Sequence, residues 1–135
     1  MKRTPRAPKM KQIITARAAP EAIGPYSQAV KCADTLYVSG QIALDPQSMQ
    51  MVEGIEAQTR QAFANLKAIL EEAAMSFADV VKLNIYLTDL SHFSLINGVM
   101  EELFAKPYPA RAAIGVSNLP RAALVEVDAI AVAVC

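Results

Sequence analysis
The chain of 135 residues has no tryptophan, one histidine, two cysteines and five glycines. Each scarcity removes a class of chemistry. The lone His92 has no Asp or Cys at motif spacing, so neither a Ser-His-Asp nor a Cys-His nucleophile is signalled, and it reads as a polar residue in a helix first turn. Cys32 and Cys135 form no CxxC pair and no metal-ligand spacing, which leaves two reduced thiols and no metal site. The glycines make neither a Walker loop nor a GxGxxG turn, so no nucleotide motif is signalled. No run of about 18 apolar residues spans a membrane, and the first 12 residues lack the apolar stretch of a signal peptide. Any activity must then be free of cofactors, built from arginine, carboxylate, hydroxyl and backbone groups. The expected location is cytoplasmic.

Apolar mass, by contrast, is plentiful. Hydrophobic residues make up 53% and charged residues 19%. That balance excludes bulk disorder and points to some apolar surface covered by another subunit. The length suits one domain. The formal net charge of zero hides an asymmetry: residues 1–17 carry six bases and no acid, and the remainder carries seven bases against 13 acids. Residues 1–10 read as a basic, disordered extension ahead of Met10, and residues 11–135 as a single domain. The acidic body lacks the basic face of a general nucleic-acid binder.

Lys11–Thr15 reads as a strand, and Ser27–Lys31 with Thr35–Ser39 as a hairpin. Gly40 to Gly54 is a turn-rich connection. Glu56–Met75 is a helix, with Phe63, Leu66, Leu70 and Ala73 on one face. Asp79–Thr88 alternates, with Val81, Leu83, Ile85 and Leu87 on one side and Lys82, Asn84, Tyr86 and Thr88 on the other. Ser91–Phe104 is a second helix capped by Ser91 or Asp89 and stopped by Pro107 and Pro109. Arg111–Asn118 and Ala123–Val134 are the final strands. The order is α+β, with two helices on one face of one mixed sheet. Both faces of the last strand are largely apolar: Val125, Val127, Ala129 and Ala131 on one, Leu124, Ile130 and Val132 on the other. The helices cover one face, and a copy of the chain is expected on the other.

Three features carry chemistry. Arg111 opens a strand beside the small same-face residues Ala113, Gly115 and Ser117, which leave room for a ligand, and its planar fork suits a carboxylate. A surface arginine or an ion pair with Glu126 or Asp128 is the competing reading. Glu126 and Asp128 share one face of an otherwise apolar strand, where they either pair with Arg111 or hold a proton acceptor. Tyr26 and the Ser39-Gly40 pair lie at strand ends, where glycine lets backbone approach a ligand. Asn97 sits at the inward edge of the second helix, close in angle to Phe93 and Met100.

These residues occur in longer stretches that resemble the RidA (YjgF/YER057c/UK114) family. They are APEAIGPYSQAV (Ala19–Val30), LYVSGQIALDP (Leu36–Pro46), QTRQAFANLKAILEEA, DVVKLNIYLTDL and PARAAIGVSNLPRAALVEVDAIAV (Pro109–Val132). The resemblance covers the chain from about residue 11 onward. It implies a chorismate-mutase-like α+β fold, a homotrimer with clefts between subunits, and cofactor-free hydrolysis of reactive 2-imino acids or enamines to 2-keto acids and ammonia. It gives Arg111 the grip on the substrate carboxylate and Glu126 the hydrolytic water. It places Tyr26, Ser39, Gly40, Asn97 and Ala113 in the cleft, Ala113 standing where many members carry cysteine. Two rival readings stay open: an endoribonuclease or translation inhibitor, and a non-catalytic module binding small carboxylates. No membrane partner is expected, and nucleic acid is disfavoured.

Overall fold
The computed structural model describes residues 11–133. The extension expected at residues 1–10, and Cys135, lie outside the described residues. Six strands form one mixed sheet: β1 (Gln12–Ile14), β2 (Ala29–Cys32), β3 (Thr35–Gln41), β4 (Val80–Leu87), β5 (Ala110–Gly115) and β6 (Val125–Val132). Their spatial order is β1-β2-β3-β6-β4-β5; only β4 and β5 run parallel. Two α-helices, α1 (Ile55–Glu72) and α2 (Phe93–Leu103), carry the chain from β3 to β4 and from β4 to β5. The α+β expectation holds, with both helices serving as cover for one face.

The helix face is the core. Phe63, Leu66 and Leu70 of α1 meet Leu83, Ile85 and Leu87 of β4 and Val125 and Val127 of β6, all fully buried. Phe63 packs edge-on to Phe104 at 5.8 Å and to Phe77 at 6.4 Å between ring centroids. The capping expectation for the second helix is not met: α2 starts at Phe93 with His92 in the cap position and no side-chain cap bond, while the Asp89 carboxylate accepts from the Ser91 N–H at 2.9 Å and caps the short 3-10 turn Leu90–His92 that leads into α2. One expectation needs correction. Val80, not Val81, is buried, because the β4–β6 register shifts between Val80 and Lys82. A bulge inserts one residue and reverses the alternation upstream of it, which leaves Val81 37% exposed.

Buried amides fix the loops beside the sheet. Gln28 accepts from the Ala16 N–H and donates to the Pro20 carbonyl at 2.7 Å. Asn65 of α1 donates to the Ile42 and Leu44 carbonyls at 3.1 and 3.0 Å, tying the segment after β3 to the helix. Each replaces water at buried backbone groups that would otherwise be costly to leave unpaired.

The opposite face has no helix. Along β6, Glu126, Asp128, Ile130 and Val132 are half-buried between the fully covered Val125, Val127 and Ala131. Tyr37 and Ile114 stand about half exposed on the same side. Truncating Phe63 to Ala should cost about 3–5 kcal/mol of unfolding free energy, read by urea denaturation; a loss below about 1 kcal/mol would show that this ring does not centre the core.

Candidate functional site
Strand register decides which chemical groups can meet. Leu83 of β4 is flanked by Arg111 of β5 and Ala129 of β6, so Arg111 is on the helix face. Tyr86 faces Glu126 and Asn84 faces Asp128, on the open face. A single protomer therefore holds Arg111 and Glu126 on opposite sides of its sheet. The reading in which Arg111 pairs with Glu126 or Asp128 is not met within one chain.

On the helix side, Arg111 Nη1 donates to Asn97 Oδ1 at 2.6 Å and to Met100 Sδ at 3.5 Å, and its guanidinium lies 5.0 Å over the Phe93 ring. Phe93, Asn97 and Met100 form one i, i+4, i+7 stripe of α2. An amide, a thioether and an aromatic face hold the cation in place without neutralising it. The fork opens on a cavity of about 390 Å³ lined also by Glu101, Tyr108 and Pro109. The small residues after Arg111 do not leave ligand space as expected. A side chain at Gly115 would sit 3.0 Å from Leu90 Cγ, so that room is filled by the turn leading into α2. Ala113 packs on the core beside Ile85 and lines neither cavity described here.

On the other side, Tyr26, Ser39, Gly40 and Glu126 come together around a cavity of about 610 Å³. The β3–β6 register breaks between Val38 and Gln41, and this irregularity carries Ser39 and Gly40. Ser39 Oγ donates to the Ser27 carbonyl at 2.6 Å. Gly40 has a steric reason to be glycine: a Cβ there would lie 2.8 Å from the Glu126 carboxylate carbon. Gly24 has φ 131°, open to glycine and strained for other residues, and the chain turns there to present Tyr26.

Among the described residues neither ion pair includes Glu126, and no hydrogen-bond donor reaches it. Burial pushes its carboxyl above the ordinary glutamate range, and the neighbouring Asp128 charge adds to the rise. Asp128 is already occupied, accepting from Asn84 Nδ2 at 2.8 Å and from the Tyr86 hydroxyl at 2.9 Å. The same contact, with burial, raises the Tyr86 phenol and keeps it a donor. No group of three or more potential metal ligands converges among the described residues, and no helix there is long and apolar enough to cross a membrane.

The family model described as endoribonuclease L-PSP matches residues 16–133. The chain belongs to this family. It is 46% identical over 123 residues to the 2-iminobutanoate/2-iminopropanoate deaminase of Dermatophagoides farinae, covering 90% of this chain and 96% of the relative. The crystal structure of RidA from Psychrobacter sp. PAMC 21119 superposes with a TM-score of 0.88 at 49% identity, over 90% of this chain and 98% of that one. E. coli TdcF, solved with bound serine, has a TM-score of 0.85 at 38% identity over the same shares.

Two contributors in this L-PSP family member escape sequence reasoning. Phe93 was legible only as an inward helix residue; its spacing to Asn97 and Met100 marked the stripe that meets Arg111. Arg121 lines the Glu126 cavity, and nothing in the Asn118–Arg121 turn signals the direction of its side chain.

The raised Glu126 carboxyl has a definite consequence for stability. A folded-state pKa above the unfolded value means a contribution that is full below the ordinary glutamate range and lost as pH rises through the elevated value. Glu126→Gln should therefore make the protein more stable than the parent at neutral pH, with the gain fading in acid. Carboxyl ¹³C titration should show Asp128→Asn bringing Glu126 down. A Glu126 that titrates at or below the ordinary glutamate value would contradict the assignment.

Proposed function
We propose that this protein hydrolyses reactive 2-imino acids and their enamines, of the 2-iminobutanoate and 2-iminopropanoate class, to 2-keto acids and ammonia. The observation that carries the reading is Glu126: a half-buried carboxylate without an ion-pair partner among the described residues, with raised proton affinity, facing a cavity beside Tyr26, Ser39 and Gly40. Relatives of known name lend the substrate class, at 46% identity for the mite deaminase and 40% for the human one.

An iminium carbon is electrophilic already and needs no nucleophilic side chain. Glu126 takes a proton from water as the water oxygen bonds to C2 and the C=N electron pair moves to nitrogen. Glu126 returns that proton to the amine nitrogen of the resulting carbinolamine; the freed carboxylate then takes the hydroxyl proton as the C=O forms, the C–N bond breaks and ammonia departs, and Glu126 gives this last proton up to solvent or to the released ammonia. Arg111 binds the α-carboxylate bidentately and so fixes C2 against the water. Asn97 positions Arg111, Ser39 and Gly40 bring backbone to the ligand, and Tyr26 walls the cleft. Ala113 supports the strand beneath.

Because one chain keeps Arg111 and Glu126 on opposite sheet faces, the cleft forms between protomers of a homotrimer, Arg111 from one and Glu126 from the next. The helix-free face supplies the apolar surface for that assembly. Residues 11–135 act as one domain in the cytoplasm, with residues 1–10 as an appended basic arm and no cofactor. The acidic body argues against RNA as substrate.

Arg111→Ala and Glu126→Gln should each slow hydrolysis of imine released by a coupled threonine dehydratase, by about 10²–10⁴-fold for the general base. Ligand binding should survive Glu126→Gln, and turnover should not; full turnover in that variant would remove Glu126 as the base, and binding without turnover in the parent would leave only a carboxylate-binding module. Co-refolding the two inactive variants in equal amounts should restore activity, since roughly a quarter of interprotomer clefts then pair both parental residues. No recovery would place the reaction within one chain.

A further inference from the structure
We infer that the side-chain oxygen of Gln41 receives an N–H that the substrate carries at C2, so that the cleft favours the imine over the keto acid it becomes. This rests on the imine-hydrolase reading and names a specificity residue for it.

Gln41 ends β3, is 6% exposed and lines the cavity that holds Glu126. Gly40, one residue earlier, runs so close to Glu126 that a Cβ there would collide with the carboxylate. The backbone is tied down on both sides of Gln41. Before it, Ser39 donates from its N–H to the Gln28 carbonyl at 2.9 Å and from Oγ to the Ser27 carbonyl at 2.6 Å. After it, Asn65 donates to the Ile42 carbonyl at 3.1 Å. A side chain on a backbone held this way keeps its geometry toward a ligand.

The Gln41 amide has one end in use. Its Nε2 donates to the Ser39 carbonyl at 3.1 Å. A carbonyl only accepts, so this contact fixes which end of the amide is the nitrogen and leaves the oxygen for another direction. Gln28 and Asn65 are the contrast: each accepts at its oxygen and donates from its nitrogen to protein groups. No donor among the described residues reaches the Gln41 oxygen. His92 Nδ1 is the one fully enclosed side-chain polar atom there without a partner. The Gln41 oxygen is therefore not enclosed, and the open space that Gln41 borders is the Glu126 cavity. A buried amide with a free acceptor at a cavity calls for a donor in that cavity.

Substrate and product differ at this point. The iminium nitrogen puts N–H donors on C2; the keto acid puts oxygen lone pairs there. A fixed acceptor attracts the first and repels the second. The N–H groups persist through the carbinolamine, so the contact lasts until ammonia departs. Two acceptors then face each other, and a site built for a hydrogen-bonding group discriminates steeply against an analogue that lacks it. The contact is independent of the imine's side chain and suits the short imines.

The test sets 2-aminobutanoate, whose ammonium group carries N–H on C2, against 2-oxobutanoate, which has an acceptor there. Gln41→Met, close in shape and without the acceptor, should weaken the amine relative to the oxo acid about tenfold in calorimetry, as expected for loss of a hydrogen bond to a charged donor. Its kcat/KM for 2-iminobutanoate should fall about tenfold, with no rise in the inhibition constant of 2-oxobutanoate. A purely structural role would weaken both ligands alike, and that result, or an unchanged ratio, overturns the inference. Where Gln41→Met does not fold, the ¹³Cδ resonance of Gln41 in the parent decides: it should move on adding 2-aminobutanoate and stay on adding 2-oxobutanoate, and no movement with the amine overturns the inference. A parent without imine turnover overturns the hydrolase reading instead, while the binding ratio still decides the role of Gln41.

Discussion

Alternation of side chains across a pleated strand governs this molecule. Arg111 sits level with Leu83 and Glu126 level with Tyr86, so the two land on opposite faces of the sheet. Rotamer changes cannot carry either group through a sheet whose helix side is filled by Phe63, Leu66 and Leu70. Both halves of the proposed chemistry are encoded in one chain, yet that chain cannot bring them together. The sheet face left bare by α1 and α2 is where a second copy would supply what is missing.

Each half is prepared separately. Arg111 is oriented by neutral partners, Asn97, Met100 and the Phe93 ring, so its charge remains available to an anion. Glu126 is prepared by deprivation: burial and the Asp128 charge raise its proton affinity, and Gly40 keeps the space its carboxylate occupies. Asn84 and Tyr86 occupy both Asp128 oxygens, so Asp128 acts on Glu126 through space. An ion pair across the sheet would have satisfied both groups and left neither able to act on a ligand. The arrangement exchanges stability for reactivity at Glu126.

The loops show the same economy. Gln28 and Asn65 spend buried amides on backbone carbonyls of the segments that wall the larger cavity. Loops held this way place Tyr26 and Met49 reproducibly without regular structure of their own. Arg60 and Glu102 link α1 to α2 at the surface, where the pair is exposed and adds little.

Periodicity alone carried much of this into view. The helix containing Phe63 and Leu66, the alternation from Leu83 onward and the two-faced last strand follow from which residues must leave water, and burial is local enough to read from spacing. The matched stretches around Tyr26, Ser39, Arg111 and Glu126 named the site's members. Other features came only from the tertiary structure. The shift that buries Val80 and exposes Val81 depends on pairing with β6, and Leu90 fills the space above Gly115 from a distant turn. The separation of Arg111 from Glu126 is set by the register of three neighbouring strands, and so is the pairing of Asp128 with Asn84 and Tyr86. Register is a relation between segments far apart in the chain, fixed by simultaneous packing and hydrogen bonding. No window of sequence contains it.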